Sequence, residues 1–226
     1  MYNQGYHRDT TILMLPKTFI DQLIVSFDTT LRGLTKSAQP ANALANPSNG
    51  LPEALLSTDQ KRHIAGCIRV NHAGEVSAQA LYRGQALTAR KKTIQTHLLQ
   101  AADEEQAHLV WCEQRLNELN GHTSLFNPLW YSGSFLIGAL AGVAGDRISL
   151  GFLAETENQV TQHLQRQCQS IPAHDVRTHA ILNKMISDEL NHEQSAANKG
   201  GSPLPKWVRT LMRWSSRLLT VSSYYL

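Results

Sequence analysis

Glu105-Gln106-Ala107-His108 and Glu189-Leu190-Asn191-His192 are two copies of one short pattern, Glu-x-x-His. A glutamate and a histidine at i and i+3 share one helix face, one turn apart. Each pair can therefore aim a carboxylate oxygen and an imidazole nitrogen at the same point. A single pair arises often by chance and is usually a solvated face; two on separate helices are more specific. Upstream, Glu75 precedes Glu105 by 30 residues and Glu157 precedes Glu189 by 32. About 30 residues make a helix, a turn and a return to the same height in an antiparallel hairpin. Helical bundles that hold two metals use one Glu from each of two helices and a Glu-x-x-His from each of the other two. The pseudo-repeat therefore predicts an all-α chain built on a four-helix bundle with two Glu…Glu-x-x-His halves.

The surroundings of the lone glutamates agree with this. Glu75 sits in Val70-Asn71-His72-Ala73-Gly74-Glu75-Val76-Ser77-Ala78, which is rich in small residues and carries one formal charge. Glu157 follows Phe152-Leu153-Ala154 and is followed at core spacing by Val160 and Leu164. Residue pattern alone leaves Glu155 and Glu157 as competitors for one ligand position. Four carboxylates offset two divalent cations, and two neutral imidazoles complete the set. Mixed O/N ligation suits iron or manganese and argues against structural zinc. Iron is preferred because iron so ligated activates O2. A metal-bound His generally donates its other ring N–H to a carboxylate. Asp188 is therefore expected to reach His108, and Glu104 to reach His192, each crossing the bundle. His72, three residues before Glu75, is a candidate for the same supporting role.

The rest of the chain divides around this core. Residues 1–36 include an amphipathic helix with Phe19, Leu23, Phe27 and Leu31 at four-residue spacing, and 37–56 form a Pro/Asn/Ser linker. A helical domain is expected over 57–226. Ser57-Thr58-Asp59 is an N-cap signal, and the 60-odd helical residues that follow exceed one globular helix, so a turn is placed near 90–93. Leu129 to Leu153 is apolar and rich in glycine, but Asp146-Arg147 interrupts it. It falls short of the ~20 apolar residues a spanning helix needs, so a buried or interfacial helix is expected. From Gln194 to Leu226 five basic residues (Lys199, Lys206, Arg209, Arg213, Arg217) occur with no acid, alongside Trp207 and Trp214. A basic, Trp-bearing helix over 206–222 suits an anionic membrane surface; a solvated basic tail is the alternative.

Composition narrows the class. Hydrophobic residues are 42% of the chain and charged residues 17%, the reverse of a disordered balance. A formal charge of +3 does not demand a nucleic-acid partner. Three cysteines, Cys67, Cys112 and Cys168, form no CxxC pair, and the N-terminus has no secretory pattern. Both features point to a reducing compartment.

Arg69-Val70-Asn71-His72-Ala73-Gly74-Glu75, followed by Leu81-Tyr82-Arg83-Gly84-Gln85, resembles the first-helix signature of the demethoxyubiquinone hydroxylases. These are membrane-bound, ferritin-like di-iron monooxygenases of ubiquinone biosynthesis. The resemblance covers about residues 60–222, including both Glu-x-x-His motifs and the Pro128-Leu129-Trp130 entry to the apolar stretch. It implies two iron ions held by Glu75, Glu105, His108, Glu157, Glu189 and His192, with Glu105 and Glu189 bridging, and it selects Glu157 over Glu155. It also implies hydroxylation of a polyprenyl demethoxybenzoquinol ring with O2 and two electrons, from a donor that no motif here identifies. The expected setting is peripheral, on the cytoplasmic face of the cell membrane, with membrane-associating segments at 129–153 and 206–222, no nucleic acid, and room for a partner protein of the pathway. Glu157 follows directly on the apolar stretch, so substrate is expected to shift this ligand first. Another ferritin-like di-iron hydroxylase, such as one acting on modified tRNA, would share the ligands but leave the apolar stretch unexplained, as would an iron-binding protein.

Overall fold

The computed structural model describes residues 45–226. The expected amphipathic extension over 1–36 and positions 37–44 of the linker lie outside them. Six helices follow in order: α1 (Thr58–Thr88), α2 (Lys92–Glu118), α3 (Asn127–Val143), α4 (Asp146–Ser170), α5 (Val176–Asn198) and α6 (Lys206–Tyr225). No strand occurs among the described residues.

Local chemistry sets the helix ends. Ser57 Oγ accepts the Gln60 N–H at 3.2 Å and Gln60 Oε1 accepts the Ser57 N–H at 2.8 Å, a reciprocal cap that starts α1. The turn between α1 and α2 falls at 89–91. Asn120 closes α2 in the left-handed region, at φ 55°, which asparagine tolerates. Asp175 caps α5 by accepting from Thr178 N.

Helices α1, α2, α4 and α5 form the bundle, and its interior is layered. One apolar layer contains Ile64, Ile68, Trp111, Leu116, Leu164 and Ile181. Another contains Tyr82, Leu98, Ala102, Leu150, Leu153 and Ala196. Along every one of the four helices, a buried glutamate (Glu75, Glu105, Glu157, Glu189) lies between these two layers in sequence.

The apolar run 129–153 is two helices rather than one segment. Gly145, at φ +113°, breaks it, and Asp146 turns its carboxylate to the Arg90 and Lys91 N–H groups at 2.9 and 3.0 Å. Helix α3 lies across α1 at backbone contact. A Cβ on Gly84 would sit 2.1 Å from the Phe135 carbonyl oxygen, and one on Gly138 2.0 Å from that of Leu81. Gly138 and Gly142 thus face α1, while Leu129, Leu136, Leu140 and Val143 face outward and are exposed. On α6, Trp207, Leu211, Trp214 and Leu218 form a second exposed apolar stripe.

Residues 45–56 are non-helical but anchored. Asn46 donates to Gln114 at 2.6 Å, and Glu53 accepts a forked pair of bonds from Arg115. Arg115 is fully buried and also holds Asp175 and Thr178. Removing one partner of a buried ion pair leaves the other charge uncompensated, at ~3–5 kcal/mol. Arg115→Ala is therefore expected to lose about that much stability, because it strands the buried Asp175. Glu53→Ala, at a half-exposed carboxylate, should cost less than about 1 kcal/mol. Urea unfolding of the two variants measures both.

Candidate functional site

The six residues singled out by spacing meet in the middle of the bundle. Glu75 comes from α1, Glu105 and His108 from α2, Glu157 from α4, and Glu189 and His192 from α5. They form two overlapping groups, Glu75–Glu105–His108–Glu189 and Glu105–Glu157–Glu189–His192, each with potential ligand atoms within 4.8 Å of one another. Either group could hold a metal ion.

Glu105 and Glu189 belong to both groups, and they divide their oxygens between the two histidines. Glu105 Oε2 lies 3.0 Å from His108 Nδ1, and Glu105 Oε1 3.2 Å from His192 Nδ1. Glu189 Oε1 lies 3.2 Å from His108 Nδ1, and Glu189 Oε2 3.4 Å from His192 Nδ1. Glu75 approaches only His108 and Glu157 only His192, each at 3.7 Å. Glu155 is turned away and accepts from Gln159.

This closeness is not hydrogen bonding. Both oxygens of Glu105 and of Glu189, and Nδ1 of both histidines, are buried without a hydrogen-bond partner. Stranding that many polar atoms is costly, and a cation between them would satisfy them all. Mixed carboxylate and imidazole donors fit a pair of divalent transition metals.

The outward nitrogens are held as the spacing predicts. His108 Nε2 lies 3.2 Å from Asp188 Oδ2, and His192 Nε2 2.7 Å from Glu104 Oε2. Each bond crosses between α2 and α5 and leaves Nδ1 facing the centre. Lys184 in turn pairs with Asp188. His72 does not support the cluster: its ring lies 3.3 Å from Glu113 on one side and 3.3 Å from Asn127 on the other, tying α1, α2 and the start of α3 together.

Other signature residues serve the frame. Arg69 donates to the carbonyls of His122 and Tyr224, which fastens the end of α6 to α1. Asn71 donates to Gln167 of α4 at 2.7 Å. Gly74 faces open space and borders an apolar cavity of about 390 Å³ between α1, α3, α4 and α6. Leu81, Trp130, Ile137, Phe152 and Leu219 are among its walls. Residue spacing missed Tyr82, whose buried hydroxyl donates to Glu157. Its place seven residues after Glu75, on the same helix face, was the available signal.

Three similarities to known proteins bear on this geometry. Residues 62–223 match the family described as ubiquinone biosynthesis protein COQ7. The chain belongs to that family. It is 54% identical over 209 residues to a 3-demethoxyubiquinol 3-hydroxylase of Acinetobacter baumannii, covering 92% of this chain and 98% of the relative. It is 50% identical over 213 residues to the protein of the same name from Legionella pneumophila, covering 94% and 100%. The COQ7 match takes in most or all of each of the six helices, α3 and α6 as well as the bundle.

Burial and mutual repulsion set the protonation of the metal-free cluster. Burial, reinforced by the neighbouring carboxylates, raises Glu75 and Glu157 well above the usual carboxylate range. Burial also opposes ionisation of Glu105, but the two imidazoles outweigh it and hold this residue low. Burial disfavours the imidazolium of His192, yet Glu105 and Glu189 lift it to about 12. His108 is raised in the same way by Asp188, Glu105 and Glu189. His192 therefore holds its second proton at neutral pH, and Glu75, Glu157 and His108 are displaced toward their protonated forms, so metal ligation must expel protons. Metal affinity is therefore expected to fall as pH falls from 8 to 6, with more than one proton released per chain. Calorimetric metal titration in two buffers of different ionisation enthalpy counts those protons, and a pH-independent isotherm would contradict the assignment.

Proposed function

We propose that this chain hydroxylates the ring of a polyprenyl demethoxybenzoquinol with O2, using two irons held by Glu75, Glu105, His108, Glu157, Glu189 and His192. The observation that carries this reading is the set of unpartnered, buried carboxylate and imidazole atoms at the centre of the bundle, in a chain half identical to 3-demethoxyubiquinol 3-hydroxylases. Glu105 and Glu189, which belong to both groups, would be shared by the two irons, Glu75 and Glu157 would serve one each, and each histidine would offer Nδ1. Irons held there would activate O2: the ring gives two electrons and takes one oxygen atom, and two more electrons from an external reductant, with two protons, carry the other to water.

The protein's own residues bind, orient and exclude water. The apolar cavity bounded by α1, α3, α4 and α6 takes the ring and the first part of the prenyl tail, with Gly74 and Thr156 beside the turns that carry Glu75 and Glu157. The tail leaves toward the outward leucines of α3 and the Trp stripe of α6. No helix among the described residues is long and apolar enough to cross a membrane. These two faces instead give a peripheral attachment to one leaflet, on the cytoplasmic side, with Arg209, Arg213 and Arg217 meeting anionic headgroups.

Two experiments test the reading. Glu189→Ala removes a bridge and leaves cationic charge uncompensated, so it should lose most bound iron and all hydroxylation of demethoxyubiquinol. Full iron content and turnover in that variant would refute the ligand set. Replacing both Trp207 and Trp214 with Ser should move the protein toward the soluble fraction in vesicle co-sedimentation while iron content stays at the wild-type level. Undiminished binding to anionic vesicles would exclude α6 as an anchor.

A further inference from the structure

The two halves of the cluster differ in one respect that their shared spacing does not predict. Tyr82 is fully buried on α1, and its O–H donates to Glu157 Oε1. That same oxygen lies 3.7 Å from His192 Nδ1. The equivalent position in the other half, seven residues after Glu157, is Leu164, which is buried and has no donor to give. One terminal glutamate is thus latched by a phenol, and the other has no counterpart to that latch. The turn of α4 that carries Glu157 is also a wall of the apolar cavity, through Thr156 and Val160. Any displacement of that wall acts on Glu157 against the bond from Tyr82.

We propose that Tyr82 is the positioning residue for Glu157, holding its carboxylate on the His192 side of the cluster and making the two metal positions unequal. The proposal rests on the six residues being metal ligands. Loss of an outer partner of a ligand typically weakens metal binding by about 10–100-fold. Here the loss falls on one position only, because Glu75 and His108 do not touch the phenol.

The test is a titration of the metal-free full chain with Co(II), whose visible absorption reports each position as it fills. Wild type should take up two equivalents. Tyr82→Phe keeps the ring and its packing, and should bind one equivalent as wild type does and the other about 10–100-fold more weakly. Unchanged affinities for both equivalents would overturn the proposal. Equal weakening of both, as a general packing defect would give, would overturn it too. Wild type that binds no Co(II) would refute the ligand set itself, and the proposal with it. Should the variant not fold, 19F NMR of wild type labelled with 3-fluorotyrosine gives the same answer. One of its six tyrosine resonances should shift as diamagnetic Zn(II) fills a single position. If none responds to either equivalent, Tyr82 does not position Glu157.

Discussion

Four carboxylates and two imidazoles share the dry centre of this bundle, and among the described residues the ion pairs of Glu75, Glu105, Glu157 and Glu189 are with the two histidines alone. Burying one ionised carboxylate costs several kcal/mol. Protons on Glu75, Glu157 and the imidazoles lessen that cost without a metal, but the buried atoms left without partners still favour separation of the helices. The layered interior resists that separation. Apolar layers on both sides, one around Trp111 and Ile181 and one around Leu98 and Leu153, hold the glutamates together at a height where water cannot relieve them. The site is costly in its unpartnered polar atoms and supported by its packing, and a bound cation would relieve the first without disturbing the second.

The supports of the histidines follow from the same helices. Successive residues on a helix point about 100° apart. When Glu105 aims at the centre, Glu104 lies on the flank facing α5 and meets His192. Asp188 stands in the same relation to Glu189 and meets His108. Each Glu-x-x-His helix thus orients the imidazole of the other, and neither histidine is held by its own half. Displacing α2 against α5 would break both supports at once, so the two halves act as one unit despite having separate motifs.

The sequence was legible where spacing repeats and opaque where a contact joins distant residues of unlike spacing. Glu75, Glu105 and Glu189 could be read from helical periodicity because each occupies a core position with polar chemistry, and the crossing of Asp188 and Glu104 followed from adjacency to them. Glu157 could not be separated from Glu155 by pattern, since both lie on a helix of mixed polarity; the structure separates them by direction, with Glu155 turned to Gln159. Tyr82 was hidden for a different reason. A tyrosine at a core position reads as an aromatic filler, and only the packing of α1 against α4 shows that its hydroxyl meets Glu157. His72 was misjudged because three residues from Glu75 is the spacing of a ligand partner, whereas its ring is taken up by Glu113 and Asn127. Asp146-Arg147 marks an interruption beside Gly145, but composition does not show that two separate helices meet there.

The glycines of α3 explain why an apolar helix can stand outside the bundle and remain part of it. Gly84 and Gly138 let the backbones of α1 and α3 touch. Helix α3 is therefore held by main-chain contact and does not need its leucines for attachment, which leaves them free to face outward. Arg69 holds the far end of α6 by the Tyr224 carbonyl, so the Trp stripe is free in the same sense. The two outward faces are thus tied to α1, the helix that also carries Glu75 and Tyr82. Helix α1 thus joins both faces to Glu75, while the turn bearing Glu157 lines the cavity between them. The placement of both outward faces and of the Glu75 and Tyr82 side of the cluster therefore depends on that one helix.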